Sequence, residues 1–174
     1  MTNKKRGVVL IAAGAALLLA ALFLIFANFR EADKADKTAA NALQKLDAAI
    51  AAQQAQTETT SAPEAESAAD PEPAEQEDAA LEIDGQMYIC IIEIPKIGVR
   101  LPVMREWSYD NLAAAPCRYS GSVAGRNIII AGHNYKGFFS RLQELNSGDK
   151  IYLTTIDGVR HDYEVDYSVL VGGN

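Results

Sequence analysis

The longest uncharged stretch of the chain, residues 7–29, constrains the fold more than any other feature. As a helix, these 23 residues would be about 34 Å long, enough to cross a hydrocarbon core of roughly 30 Å. Lys4, Lys5 and Arg6 precede the run, so the positive-inside rule predicts a cytoplasmic tail at residues 1–6. A cleaved signal peptide has a shorter apolar region, of about 7–15 residues. We therefore expect an uncleaved transmembrane anchor, with the rest of the chain outside the cell.

The two segments that follow the anchor differ in composition. Residues 30–56 are rich in Ala and other helix formers and carry Leu43, Leu46 and Ile50 at helical spacing, which predicts a helical stalk. Residues 57–80 hold eight acidic residues, three prolines and no basic residue. Such a segment buries too little apolar surface to offset its ordering entropy. We interpret it as an acidic, disordered linker rich in Pro, Glu and Ala, which serves as a spacer or has no role.

From residue 81 onward the pattern is typical of a mainly β globular domain with short helices. Apolar and β-branched runs predict strands over residues 86–94, 99–104, 127–132, 150–155 and 159–171. We expect Pro102 to place its strand at an edge or beside a bulge. Residues 107–114 suggest a weak helix or turn, and residues 138–145 carry apolar side chains at helical spacing. Asp157 and Gly158 form a pair that favours a hairpin turn.

Charge and cysteine usage exclude several classes of protein. The net charge is −7, the acidity lies in residues 30–80, and residues 81–174 are nearly neutral without a basic stripe, which argues against nucleic-acid binding. Two cysteines, Cys90 and Cys117, are too few for a disulfide-built scaffold, and the sequence leaves open whether they pair or stay free. The two histidines lack ligand-like spacing to other groups, so we expect neither a metal site nor a cofactor.

The two histidines occupy different settings. His161 alternates in register with Tyr163 and Val165, which indicates a structural ring on the packed face of a strand. His133 instead follows Gly132 at the end of a β-branched run that predicts a buried strand, where a rigid element passes into a loop that can meet a substrate. His133 is therefore the candidate functional residue.

Four motifs together resemble one known family. They are EIPKIGVRLPV at residues 93–103, NIIIAGHN at 127–134, FFSRLQEL at 138–145 and GDKIYLTTIDGVRHDYEV at 148–165. In order and spacing they resemble the N-terminal part of the sortases, cysteine transpeptidases that attach proteins to Gram-positive cell walls or assemble pili. The resemblance covers about residues 86–171. It implies that residues 81–174 form the N-terminal part of a sortase-like catalytic domain, an incomplete β-barrel.

The resemblance also implies a chemistry and its partners. In sortases a Cys thiolate attacks a backbone carbonyl of an LPxTG-like sorting signal on a surface protein or pilin. The thioester then passes to an amine, either on a cell-wall precursor or on a pilin Lys. The family's catalytic His follows a small residue and Gly, a pattern matched by Ala131, Gly132 and His133. The membrane contact would be made by residues 7–29, which places the protein in the cell membrane with its C-terminal domain outside.

The sequence departs from the family pattern in one respect. The family's nucleophilic Cys, in a Thr-x-Thr-Cys-like strand, and its Arg on a later strand have no counterpart in residues 1–174. We therefore expect a C-terminally truncated chain that is inactive as written. Two alternatives remain open: a non-catalytic, membrane-tethered peptide-binding or degenerate sortase-like module, and catalysis by Cys117. Arg118 and Arg126 are available cations, each interpreted as a solvated loop charge.

Overall fold

The computed structural model describes residues 2–57 and 78–171, and the chain divides into two compact units, Met1–Lys34 and Ala35–Asn174. Helix α1, Thr2–Thr57, runs through both the predicted anchor and the predicted stalk. In the first unit the large apolar side chains, for example Leu17 and Phe23, are about 70% exposed. Among the described residues, this is the one helix long and apolar enough to cross a membrane by length and composition. Such all-round apolar exposure suits lipid rather than water.

The second unit contains a curled β-sheet with short helices, so the predicted mainly β class is confirmed. The strands are β1 Leu81–Ile83, β2 Gln86–Ile94, β3 Val99–Met104, β4 Cys117–Ser120, β5 Ile129–Ala131, β6 Lys150–Thr155 and β7 Arg160–Glu164. The helical elements are the 3₁₀ turns Pro95–Ile97 and Leu142–Glu144 and the short helix α2, Tyr109–Leu112. Within the described residues these seven strands form one sheet in the order β5-β4-β3-β2-β6-β7, with β1 paired to β2.

Strand β2 is the centre of the sheet and is buried on both faces. It pairs antiparallel with β3 on one side and with β6 on the other. Cys90, Ile92 and Ile94 pack into one hydrophobic core, whereas Tyr88 and Ile91 pack into a second. Residues 88–92 of this strand are continuously apolar, as expected for a segment that is buried on both faces. A bulge between Tyr88 and Cys90 shifts the alternation between the two cores.

The second half of helix α1 packs against the sheet. One side of the helix supplies buried residues to the two cores, at positions Ala35, Ala39, Ala42, Leu46 and Ile50. Their spacing of three and four residues places them on one stripe of the helix. Burial of Leu46 or Ile50 stabilises the unit by about 1.5–3 kcal/mol each. Residues 35–50 therefore belong to the folded domain.

Polar contacts fix the register of this helix on the sheet. Lys45 Nζ lies 2.6 Å from the Asp84 carboxylate in the β1–β2 turn. The Arg100 guanidinium of β3 donates two hydrogen bonds to Asp47, at 2.8 and 2.7 Å. Each exposed pair adds at most about 1 kcal/mol, but the bidentate geometry at Asp47 is specific in direction. The apolar stripe alone would allow α1 to slide along the sheet, and these two ion pairs favour one register.

Residue Asp78 anchors the chain directly before β1. The predicted linker, residues 57–80, lies outside the described residues except for Thr57 and its last three residues. Asp78 is 8% exposed, and its carboxylate accepts hydrogen bonds from the backbone N–H groups of Val123 and Ala124 at 2.9–3.1 Å. Ala80 packs against the first core. An ionised acceptor pairs favourably with convergent backbone donors, so this carboxylate holds the β4–β5 connection in place.

Several local predictions were met by the backbone. Strands β2, β3 and β6 match the predicted ranges, and Gly158, with φ +83°, forms the turn between β6 and β7. The turn is closed by the Gly158 N–H, which donates to the Thr155 carbonyl at 3.0 Å. Strand β3 pairs with β4 only at Met104 and Cys117. The rest of that edge of β3 has no hydrogen-bonded partner strand, so Pro102, which lacks an N–H donor, is tolerated there.

Two strand predictions and one helix prediction were wrong in extent. The run at residues 127–132 forms only a three-residue strand, and Ile129 is 55% exposed because β5 lies at the end of the sheet order. The strand predicted over residues 159–171 ends at Glu164, and the apolar side chains at its far end, Tyr167 and Val169–Val171, are exposed. The helix predicted over residues 138–145 is a 3₁₀ turn at Leu142–Glu144.

Removal of α1 should uncover the second core. We expect a fragment of residues 81–174 to aggregate, because Tyr88, Ile91 and Met104 lose the helix that packs with them. A fragment of residues 35–174 should be more soluble and melt at a higher temperature. Size-exclusion chromatography and thermal denaturation of both fragments test this; a monomeric shorter fragment with the same melting temperature would contradict it.

Loss of the Asp78 carboxylate should destabilise the fold. In the full chain in detergent micelles, Asp78→Ala should lower the free energy of unfolding by about 1.5–3 kcal/mol, because the buried N–H of Val123 and the partly buried N–H of Ala124 lose a charged acceptor. Asp78→Asn, which keeps one oxygen acceptor, should lower the free energy of unfolding by a smaller amount. Urea titration followed by fluorescence of Trp107, the single tryptophan, measures both. The exposed Asp166→Ala is the control, and equal midpoints for Asp78→Ala and the control would refute the anchor.

Candidate active site

Strand β5 places His133 at the end of the sheet order. It pairs antiparallel with β4, with Cys117 opposite Ala131, and the strand ends there. Gly132 follows, and a Cβ atom at this position would overlap the Phe139 ring. This close approach of the Phe139 ring to the backbone favours glycine at the position. His133, whose side chain is half-buried, is the second residue after β5.

The loop after His133 is closed by its own backbone. The Phe139 N–H donates to the His133 carbonyl at 3.2 Å, and the Phe138 N–H donates to the Tyr135 carbonyl at 2.9 Å. Gly137 lies against Asp36 of helix α1, where a Cβ atom would overlap the carboxylate. Phe138 is fully buried in the first core. These contacts define one backbone path for residues 133–139, which we call the His133 loop.

A series of aromatic rings connects His133 to the core. The imidazole of His133 stacks on the ring of Tyr135, with centroids 4.7 Å apart and planes 20° apart. Tyr135 in turn contacts Phe138, with centroids at 5.6 Å and planes at 58°. A histidine ring can give or take a proton near neutral pH, and a loop at a strand end leaves room for a substrate. The arrangement therefore offers a positioned proton donor or acceptor.

The two cysteines are free, buried thiols. Both are fully buried, Cys90 in the first core and Cys117 in the second. Burial, and to a smaller extent the Asp78 charge, raises the pKa of Cys90 far above its ordinary value. Burial raises the pKa of Cys117 to about 11. Because the thiolate is the nucleophilic form, neither side chain is prepared for attack at neutral pH.

The strand register nevertheless brings Cys117 nearer to His133 than the sequence suggests. Cys117 lies across from Ala131, two residues before His133. Its Sγ donates a hydrogen bond to the Ala115 carbonyl at 3.3 Å, and the side chain packs with the second core, which Ala42, Leu46 and Ile50 also line. The backbone of Cys117 is therefore close to the His133 loop, but its side chain is packed in the second core.

The other sequence candidates have partners outside the His133 loop. Arg118 donates from Nε to the Arg105 carbonyl at 3.1 Å, and Arg126 lies over the Tyr163 ring, 5.5 Å from its centroid. Arg118 is half-buried on β4 rather than in a loop as predicted, whereas Arg126 is exposed in the connection between β4 and β5. His161 is half-buried on β7 opposite Leu153. Within the described residues, no group of three His, Cys, Asp or Glu side chains is arranged to hold a metal ion.

Sequence reasoning missed two residues near this site. Tyr135 stacks on His133, and its position two residues after the histidine was the available signal. Asp78 holds the connection that leads into β5, but it lies in an acidic segment where nothing distinguishes it from its neighbours.

Comparison with known proteins identifies the fold. The family model described as Sortase domain matches residues 92–172, a range that contains the last three residues of β2, strands β3 to β7 and the His133 loop. Over residues 92–172 the chain is similar to the sortase family. The predicted family resemblance is therefore confirmed for this part of the chain.

Individual sortases show the extent of the similarity. Sortase A of Bacillus anthracis is 35% identical over 108 residues, which cover 59% of this chain and 47% of that protein. The pilus-related sortase C of Group B Streptococcus is 30% identical with a TM-score of 0.41, covering 49% of this chain and 47% of that one. Sortase A of Corynebacterium diphtheriae is 28% identical with a TM-score of 0.44, covering 47% and 41%. The chain spans about half the length of the sortases it matches.

Buried thiols should resist modification in this sortase-family domain. At pH 8, iodoacetamide should modify Cys117 about a hundredfold more slowly in the folded chain than in urea, because its pKa rises from 9.0 to about 11. Cys90 should react more slowly still. Mass spectrometry of tryptic peptides measures each rate, and Ser168→Cys at an exposed position is the control. Rapid native labelling of Cys117 would reopen its candidacy as a nucleophile.

Proposed function

We propose that this chain contributes the histidine-bearing part of a membrane-anchored cysteine transpeptidase of the sortase type. The observation that carries the proposal is the position of His133: it follows β5 within the sortase-family region, on a loop fixed by Phe138 and Phe139. A general acid–base group must lie on a rigid element that is also open to substrate. The backbone hydrogen bonds of the His133 loop support the first condition, and the partial exposure of His133 supports the second.

In the proposed reaction His133 moves protons for a sulfur nucleophile. A thiolate attacks the backbone carbonyl of an LPxTG-like sorting signal, and the imidazolium of His133 gives its proton to the departing amine as the C–N bond breaks. The resulting thioester is attacked by an acceptor amine, on a cell-wall precursor or a pilin Lys. The imidazole takes a proton from that amine, and the C–S bond breaks to restore the thiolate. The substrate would be a sorting signal of a surface protein or pilin.

We propose that the attacking thiol and the Arg that stabilises the developing oxyanion lie outside these 174 residues. The burial and raised pKa of both Cys90 and Cys117 support this, because neither can supply a thiolate at neutral pH. Arg118 and Arg126 have local partners within the domain. His133 then acts on a sulfur atom that this part of the protein does not contain.

The membrane topology is part of the same proposal. Residues 7–29 would span the bilayer, with residues 1–6 in the cytoplasm and the sheet outside the cell. The three basic residues before the span and the acidic residues after it support this orientation. The apolar exposure of α1 around Leu17 and Phe23 supports membrane insertion. This placement would put the His133 loop on the side where surface proteins are attached.

Substitution of His133 tests the proposed role directly. In the longer protein that the proposal requires, His133→Ala should lower the rate of transfer of a fluorogenic LPxTG peptide to an amine by about 10² or more, because proton transfer to the leaving amine is lost. The matched control is His161→Ala, which changes the other histidine and should leave turnover near the wild-type rate. Near-normal turnover in His133→Ala would refute the role.

A non-catalytic, peptide-binding module is the second candidate, and the burial of both thiols is the observation that favours it. This function predicts that a sorting-signal peptide binds the 174-residue chain in detergent without any covalent adduct. An adduct trapped on Cys117 by a thiol-reactive peptide analogue would instead support catalysis by that residue. Binding without turnover in the longer protein as well would favour the module over the enzyme.

A further inference from the structure

Histidine rings in active sites need a defined orientation, and a hydrogen bond to one ring nitrogen often supplies it. Within residues 2–57 and 78–171, the aromatic ring that contacts the imidazole of His133 is that of Tyr135. The two rings stack nearly parallel, with centroids 4.7 Å apart and planes 20° apart. This contact uses the face of the imidazole. Both nitrogens lie at the ring edge, so stacking on the face leaves them available for proton transfer.

Tyr135 is itself held by the core. Its ring packs against the first core and lies 5.6 Å from the ring of Phe138, which is fully buried. Its carbonyl accepts hydrogen bonds from the N–H groups of Phe138 at 2.9 Å and Ser140 at 3.4 Å. Tyr135 is therefore held in place by hydrogen bonds to its backbone carbonyl and by packing of its ring against the first core.

Ring rotation is the freedom that this contact removes. The terminal torsion of a histidine side chain has a broad, roughly two-fold preference, so a half-buried imidazole on a loop can sample several planes. A fixed aromatic plane on one side favours the parallel orientation. The Phe139 N–H bond to the His133 carbonyl fixes the backbone, but it does not fix the side-chain plane.

We propose that Tyr135 is a positioning residue for His133, holding the imidazole plane by stacking so that the ring nitrogens stay free for proton transfer. The effect on the reaction rests on the proposed catalytic role of His133. The effect on ring orientation does not depend on that role, so the two parts are tested separately.

The orientation is tested by NMR on the 174-residue chain in detergent micelles with labelled histidine. The chain has two histidines, so His161 serves as an internal reference in the same spectrum. The wild type and Tyr135→Phe should show ring-current-shifted imidazole protons for His133, together with an NOE to residue 135. Tyr135→Leu should lose the shift and leave His161 unchanged. Tyr167→Leu, at an exposed tyrosine, should alter neither histidine.

Unchanged His133 signals in Tyr135→Leu would overturn the stacking. If that variant unfolds, the His161 signal will move as well, and the wild-type spectrum then decides: absence of an NOE between residues 133 and 135 overturns the proposal.

The kinetic part is tested in the longer protein. Tyr135→Leu should lower kcat for transpeptidation about tenfold while KM for the peptide changes little, because a misoriented imidazole affects the chemical step rather than binding. Tyr135→Phe, which keeps the aromatic ring, should retain most of the wild-type kcat. A normal kcat in Tyr135→Leu, when His133→Ala is inactive, overturns the positioning role alone. Normal turnover in His133→Ala overturns the proposed function instead.

Discussion

Burial of β2 on both faces is the constraint on which the second unit depends. A strand with Cys90, Ile92 and Ile94 on one side and Tyr88 and Ile91 on the other must be covered twice. The first face is covered by residues of the sheet's own strands and loops together with Ala35 and Ala39 of α1. The second face is covered by residues 42–50 of α1, so the helix that continues from the apolar segment is also a structural part of the domain.

The His133 loop depends on the same core. Phe138 is buried in the first core, and the ring of Phe139 packs closely against the backbone at Gly132, directly after β5. Asp78 reaches the β4–β5 connection from the other end of the domain sequence. The site is thus supported by segments that are far apart in sequence, and a change in any of them can displace the imidazole without touching it.

Local signals in the sequence predicted the elements whose causes are local. The apolar run of β2 and the Asp157–Gly158 turn were both found, because a buried strand and a positive-φ glycine leave a mark within a few residues. The strand-end position of His133 and the family resemblance together led to its proposed role, which stays a prediction. The predicted lengths of β5 and β7 were too long. An apolar or alternating pattern shows that residues favour a strand, but the strand ends where its hydrogen-bonded partner strand ends. The packing of α1 and the anchor at Asp78 depend on distant partners, which no local pattern encodes.

The cysteines and His133 occupy contrasting environments in the fold. A thiol that serves as core packing is stabilised in its neutral form, and the burial that stabilises it raises its pKa. A reactive thiol needs the opposite environment, with partial exposure and a neighbouring cation. The imidazole of His133 is half-buried just beyond the end of β5, a more accessible setting than that of either thiol. Cys90 and Cys117 therefore suit the stability of the fold, and the proposed role of His133 requires a thiol in a more exposed position than theirs.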